Sequence, residues 1–143
     1  MHRLGFDGRR TLQFGRIAQP WLRELAKRWV RLRLSSGLGL EAGGGRVVVA
    51  ITRFSQFLTA VGVERIDQID RGLLERYLAD LGRERHPQRR SAHIGLLNGF
   101  FVAIRQHRWH PGLPATALFF PADHPRRPDK LPRALAEQVM TQL

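Results

Sequence analysis

The chain has 143 residues, enough for one domain with a hydrophobic core, and 43% of them are hydrophobic, as in ordinary globular proteins. The longest apolar run, residues 47–51, is far shorter than the roughly 18 residues of a membrane span, and the first ten residues lack the apolar segment of a secretory signal. Cysteine is absent, which excludes disulfides and thiolate metal ligands. We therefore expect a cytoplasmic location.

The charge distribution is the first indication of function. The chain has 24 basic and 12 acidic residues, a net charge of +12. Residues 1–34 contain nine basic and two acidic residues, and residues 85–110 contain five arginines and no acid. Residues 60–84, between these blocks, contain six acids and four arginines. Such separation of charge favours a polyanionic partner, usually nucleic acid.

Residues 1–19 have no hydrophobic period and are rich in glycine and arginine, so we expect a flexible basic arm. Pro20 begins a predicted helix, PWLRELAKRWVRLRL, in which Trp21, Leu25 and Trp29 follow one stripe among arginines. A basic amphipathic helix of this kind has a membrane-surface interpretation. We favour a bundle helix with the tryptophan stripe in the core.

The glycines of residues 35–45 predict a loop, which lacks the Gly-Lys-Ser/Thr ending of a phosphate-binding P-loop. A second helix is predicted from Arg46 to Val61. One side of it is apolar, and the other carries Arg46, Arg53 and Gln56, which we predict to contact DNA.

Asp70 is the predicted N-cap of a third helix, over about residues 71–83. This helix and the link before it lie within residues 60–84, which contain six of the twelve acids of the chain. We therefore do not expect it to face a polyanion.

A fourth helix is predicted from Pro87 to His107, apolar in its second half and basic at its start. The N–H groups and partial positive charge of a helix N-terminus suit phosphate. A core helix with a solvated, arginine-rich start is the alternative. The predicted DNA contacts at this end are Arg85, Gln88, Arg89, Arg90 and His93.

Six prolines between Pro111 and Pro132 exclude a long helix and predict a stiff linker over residues 111–134. Leu118, Phe119 and Phe120 within it predict a short buried turn. A last helix is predicted to start near residues 132–135. The basic residues of the linker that we expect to follow a DNA backbone are Arg126, Arg127 and Lys130.

The sequence contains no recognisable enzyme constellation. His107 and His110 have the spacing of a metal-binding pair, but no cysteine or nearby carboxylate completes a ligand set. A histidine stacked on Trp109 or facing a phosphate is the favoured interpretation. Ser91 and His93 diverge on a helix and do not form a nucleophile–base pair. We expect no metal, no cofactor and no small-molecule substrate.

Residues 47–143 resemble the N-terminal core-binding domain of the tyrosine recombinase (phage integrase) family. Four pieces carry the resemblance, in this order: FSQFL with its short link and ID turn, LLERYLADL, PQRRSAHIGLLNGFFVAIRQHRW, and KLPRALAEQVMTQL after a proline-rich joint. They cover about two thirds of the chain. In that family, a Leu-Pro-Arg segment of this type opens the catalytic domain.

The resemblance implies an all-α fold: a four- to five-helix orthogonal bundle, SAM-like, forming half of a C-shaped clamp on double-stranded DNA. The second and fourth helices would lie against the major groove. The implied division is a basic arm (1–19), a DNA-binding bundle (20–110), an interdomain linker (111–134) and the start of a catalytic domain (135–143).

The resemblance also implies that this chain binds DNA without cutting it. The nucleophilic tyrosine of the family and its Arg, Lys and His partners belong to the catalytic domain. The single tyrosine here, Tyr77, lies on an apolar helix stripe and is expected in the core.

A protein–protein interaction module with no nucleic-acid role is the second hypothesis, with Trp21, Trp29 and the last helix as docking elements. DNA binding predicts one continuous face formed by Arg46, Arg53, Arg89 and Arg90. Protein docking predicts an exposed apolar patch there instead. The first helix has two interpretations as well, because it either completes the bundle or reaches a neighbouring protomer on DNA, which would be self-association.

Overall fold

The computed structural model describes residues 12–39, 44–83 and 86–125. Within these ranges the chain forms four α-helices and no strand, which confirms the all-α prediction. The helices are α1 (Pro20–Ser35), α2 (Arg46–Val61), α3 (Arg71–Leu81) and α4 (Pro87–Gln106). None of these four helices is both long and apolar enough to cross a membrane. The predicted last helix lies outside the described residues, as do Arg85, Arg126, Arg127 and Lys130.

The helix ends follow local sequence signals. α1 and α4 each begin with a proline, whose missing N–H is not needed in the first turn. The Asp70 side chain accepts a hydrogen bond from the Leu73 N–H at 2.9 Å and caps α3. α2 ends at Gly62, whose φ of 81° is left-handed and favours glycine. Gly45 is already helical, so the described loop before α2 is shorter than residues 35–45 predict.

An aromatic cluster joins the four helices in one core. The Phe54 ring of α2 meets the Tyr77 ring of α3 edge to face at 5.0 Å, and the Phe101 ring of α4 at 5.8 Å. Trp29 of α1 packs on Phe100 with ring centroids 5.3 Å apart. Tyr77 is fully buried, as predicted, and the burial of Trp29 confirms α1 as a bundle helix.

Trp21 is only partly buried, unlike Trp29. Its indole N–H donates to the Glu64 carbonyl at 2.9 Å and so ties the start of α1 to the link that follows α2. The tryptophan stripe is therefore used within the bundle.

The packed core extends past both predicted ends of the bundle. Ile17, before α1, is fully buried, and Leu113, Ala117 and Phe119, after α4, are buried as well. The described part of the predicted linker therefore packs on the helices. The reason is that aperiodic apolar residues can fill a core without belonging to a helix.

The predicted buried turn at residues 118–120 is corrected in part. Phe119 is buried and stacks on Phe101, but Phe120 is 44% exposed. The turn itself is a 3-10 helix three residues later in the chain, Pro121–Asp123. Phe120 instead lies beneath the Arg71 guanidinium, 4.1 Å from the ring centroid.

Candidate nucleic-acid interface

Helix α2 has one buried and one exposed side. The buried side includes Phe54 and Leu58, which anchor it in the core. The opposite side shows Arg46, Val49 and Gln56 to solvent, with Arg53 half-buried beside them. Arg46 and Arg53 are separated by two helical turns, so both project from this exposed side.

The first turns of α4 carry the second group of predicted contacts. Arg89 is exposed and Arg90 half-buried, and both lie about one turn before His93 on the same side of the helix. Gln88 is exposed too, but at about 3.6 residues per turn it falls on a different side. Ser91 faces the segment after α4, where its hydroxyl is 2.8 Å from Nδ1 of His124.

His93 connects α4 to the two neighbouring helices. Its Nε2 is 2.5 Å from the Tyr77 hydroxyl of α3. Burial, with a smaller contribution from the positive charge of Arg53, lowers the pKa of His93 to about 4. Burial also raises the pKa of the Tyr77 hydroxyl. Both groups are therefore neutral at pH 7, which gives His93 a packing role in addition to the predicted DNA contact.

Helix α2 packs beside α4, with the Phe54 ring 5.8 Å from the Phe101 ring, and the positive charge of Arg53 contributes to lowering the pKa of His93. Arg46 precedes Arg53 on one helix, and Arg89 and Arg90 precede His93 on the other. The DNA-binding hypothesis assigns these four arginines to one continuous surface, which stays a prediction. We call this surface, formed by Arg46, Arg53, Gln56, Arg89 and Arg90, the basic face.

An open groove of about 490 Å³ runs beside the basic face. Its lining includes Leu12, Gln13 and Arg16 from the segment before α1, and Val49 and Arg53 from α2. Sequence reasoning placed Arg16 in a separate flexible arm. No local pattern could have joined it to α2, because the two segments meet through the burial of Ile17 and through hydrogen bonds of Ser55 with Ala18 and Gln19.

Acidic residues are absent from both helices of the basic face. Neither Arg46–Val61 nor Pro87–Gln106 contains Asp or Glu. The acids Glu75 and Asp80 lie on α3, as expected. A phosphate approaching α2 and α4 therefore meets cations without carboxylates on the same helices.

Three arginines outside the basic face have structural roles instead. Arg23 donates to the Ile17 carbonyl at 2.9 and 3.1 Å. Arg71 forms a bidentate ion pair with Asp123, in which the two terminal guanidinium nitrogens lie 2.7 and 2.9 Å from the two carboxylate oxygens. Arg105 donates to the carbonyls of Pro114 and Ala117. The charge pattern of the sequence does not reveal these contacts.

The histidine pair after α4 takes up stacking and turn contacts. The His107 ring stacks on Trp109 with centroids 5.1 Å apart, as the favoured interpretation predicted. Nδ1 of His110 accepts the Gly112 N–H at 3.1 Å. Across the part of the chain that the structure describes, no three His, Asp or Glu side chains gather as a metal site would require.

Comparison with known proteins finds similarity to transposases. The chain is 27% identical over 136 residues to transposase B from transposon PsiTn554 of Staphylococcus aureus. It is 26% identical to transposase B from transposon Tn554 of S. aureus strains Mu50 and N315. Each alignment covers 93% of this chain and 21% of the relative, so the chain spans about a fifth of the length of these proteins. No family model and no solved structure matches.

Proposed function

We propose that this chain is a DNA-binding module of a tyrosine-recombinase-type transposase or integrase and that it holds duplex DNA with its basic face. In this role α2 and the first turns of α4 contact the phosphates that flank a major groove. Arginine contacts to phosphate supply most of the affinity, and a few side chains that reach base edges supply sequence preference.

The observation that carries this proposal is the pairing of two acid-free helices at one surface. α2 and α4 lie side by side, with the Phe54 ring of one 5.8 Å from the Phe101 ring of the other. Their exposed cations then act together on one polyanion. The similarity of nearly the whole chain to two named transposases supports the same role.

We further propose that the chain binds DNA without cutting it. A tyrosine that attacks a phosphodiester must reach the phosphate, whereas Tyr77, the single tyrosine, is fully buried against Phe54 and His93. In the family that the sequence resembles, cleavage belongs to a separate domain.

The protein-docking alternative is less well supported. It requires an apolar patch on the face of α2 and α4, but the large exposed apolar side chain of α2 is Val49, with Arg46 and Arg53 one turn away on either side. Trp29 is buried and Trp21 is hydrogen-bonded within the bundle.

Fluorescence anisotropy with a labelled duplex across a salt series tests the proposal. The logarithm of the binding constant should fall with the logarithm of salt concentration at a slope of about −4 to −7, at about −0.9 per neutralised phosphate. Arg89→Ala should reduce the steepness by about one. Heparin and single-stranded DNA serve as competitors.

Arg76→Ala is the matched control, because Arg76 is exposed on α3, on the side away from its buried stripe. It removes the same charge from a different surface. Equal effects of Arg76→Ala and Arg89→Ala would mean that the protein binds DNA through its total positive charge and not through the basic face. Absence of duplex binding at low salt would refute the proposed function.

A further inference from the structure

Val49, in the first turn of α2, is unusually exposed for an aliphatic side chain of this bundle. It is 71% exposed, the highest value among the large apolar side chains that the structure describes as exposed. The others are Leu38 and Val102, at 40 and 44%, and Phe120, which is covered by the Arg71 guanidinium. Valine is also a poor helix former, so neither packing nor helix propensity explains its place on α2.

The surroundings of Val49 are cationic and polar. Arg46 and Arg53 lie about one turn before and after it, and Thr52 and Gln56 extend the same side of α2. The groove beside it is lined by Arg16 from the segment before α1. A single exposed valine on a random surface needs no explanation. An apolar group centred between cations is complementary to a ligand that carries an apolar group between two anionic edges.

The major groove of DNA presents the matching pattern. Phosphates form its two edges, and its floor carries base-edge hydrogen-bonding groups together with the C5-methyl group of each thymine. An α-helix fits within the groove, so its flanking arginines can reach phosphate while its most exposed residue reaches the floor. The thymine methyl is the apolar group that an aliphatic side chain can contact there.

We propose that Val49 is a specificity-determining residue that packs against the C5-methyl group of a thymine in the major groove. The inference rests on the proposed DNA-binding function and adds a base preference to it. Val49 contributes little to general affinity, which comes from the arginines around it. It favours sites with thymine at one position over sites with cytosine or with deoxyuridine, which lacks the methyl group.

The test starts with selection of a preferred duplex from a random pool by the whole chain. Each thymine of that duplex is then replaced singly by deoxyuridine, and binding is measured for the wild type and for Val49→Ala. One replacement should weaken wild-type binding about four-fold, the factor that burial of one methyl group gives. Val49→Ala should bind the thymine duplex about four-fold more weakly and show no further loss with deoxyuridine at that position.

Val102→Ala is the matched control, because Val102 is an exposed valine on the side of α4 opposite to His93. It should retain the full deoxyuridine effect. Circular dichroism checks folding, which Val49→Ala should preserve because alanine favours the helix.

Two outcomes overturn the thymine contact while leaving the proposed function intact. One is duplex binding that no deoxyuridine replacement weakens, including binding with no selected sequence at all. The other is a deoxyuridine effect that persists in Val49→Ala. Either result would mean that Val49 does not contact the thymine methyl group, and contact with a protein partner would then be the explanation of its exposure. Failure of the wild type to bind any duplex at low salt would instead refute the proposed function, and this inference with it.

Discussion

Ser55 is a single polar residue that fastens the segment before α1 to α2. It is 1% exposed; its hydroxyl accepts the Ala18 N–H at 2.9 Å and donates to Oε1 of Gln19 at 2.6 Å. Gln19 is also buried, and its amide donates to the Thr59 hydroxyl at 3.1 Å. Buried polar groups of this kind are tolerated because each finds a partner. The segment that carries Arg16 is thereby held beside the basic face.

Ser55→Ala should lower the free energy of unfolding by about 1–3 kcal/mol, because it leaves the Ala18 N–H and the Gln19 carbonyl without their partner in a buried site. Urea denaturation measures the change. Ser35→Ala is the control, since the Ser35 hydroxyl is exposed and bonds only to the Leu32 carbonyl within α1. Equal effects of the two substitutions would contradict the importance of the Ser55 network.

His93 makes the stability of the bundle depend on pH. Its pKa is about 4 in the folded protein, below the ordinary 6.5, so the unfolded chain binds a proton more readily between these values. The contribution of the neutral His93 to the free energy of unfolding should be fully present above pH 6.5 and decrease as the pH drops toward 4. The total decrease should be roughly 3 kcal/mol, at about 1.4 kcal/mol per pKa unit.

His93→Gln should flatten the stability profile between pH 6.5 and 4, because glutamine gains no charge and still offers an acceptor to Tyr77. Urea midpoints at several pH values measure the profile. His107→Gln, an exposed histidine after α4, is the control. A His93→Gln profile as steep as that of the wild type would refute this origin of the acid sensitivity.

The segment after α4 is an element without helical periodicity that nevertheless packs firmly. Arg71 at the start of α3 holds Asp123 through two hydrogen bonds, and the neighbouring Phe120 N–H donates to the same carboxylate. The Asp123 side chain is only 9% exposed. The hydrogen bonds from Arg71 hold the pKa of the Asp123 carboxyl below its usual value. This ion pair and the contact between Ser91 and His124 hold the Pro121–Asp123 turn against α3 and α4.

Asp123→Asn should lower the free energy of unfolding by about 1–3 kcal/mol, because asparagine removes the negative charge and one of the two acceptors of the bidentate pair with Arg71. The wild-type contribution should be present above the ordinary carboxyl pKa and disappear as the pH falls through the depressed one. Hydrogen exchange at the Phe119 and Phe120 amides reports local opening of the segment.

Asp67→Asn provides the comparison, since Asp67 pairs with Arg65 at 3.1 Å but both side chains are more than half exposed. Its cost should stay below about 1 kcal/mol. If Asp123→Asn cost no more than Asp67→Asn, the segment would be held by the burial of Leu113, Ala117 and Phe119 and not by the ion pair.

The whole molecule carries a net charge of +12, but DNA binding depends on where the cations lie. Arg23, Arg71 and Arg105 are engaged with carbonyls or a carboxylate of the protein itself. Helices α2 and α4 contain no acid and carry Arg46, Arg53, Arg89 and Arg90, which we predict to contact DNA. A long-range attraction from the total charge and a short-range contact at the basic face are therefore separable.

Reversal of two charges at the basic face, Arg46→Glu with Arg89→Glu, should weaken duplex binding by at least 100-fold at moderate salt, because it removes two phosphate contacts and adds repulsion. The control pair, Arg31→Glu with Arg76→Glu, gives the same net charge on exposed sides of α1 and α3. It should weaken binding several-fold through the general field. Anisotropy titrations of both pairs measure the difference, and similar losses would argue against a localised face.

The sequence alone determined the four described helices and the exposed side of α2. Proline at N1, the Asp70 cap and the glycine after Val61 are local signals, so α2 was predicted with its observed bounds and the other helices to within two residues. The apolar periodicity of α2 also identified the side that carries Arg46, Arg53 and Gln56, because a helix that buries one side must expose the other.

Only the tertiary structure decided which residues that are distant in the sequence lie close together. It brought Arg53 to His93, Arg16 to the groove beside α2, and Arg71 to Asp123. Sequence periodicity carries no information on such pairs, since they depend on how helices pack and not on spacing within one helix. For the same reason the burial of Phe119 and the structural role of Arg105 could not be read from a proline-rich segment or from a count of charges.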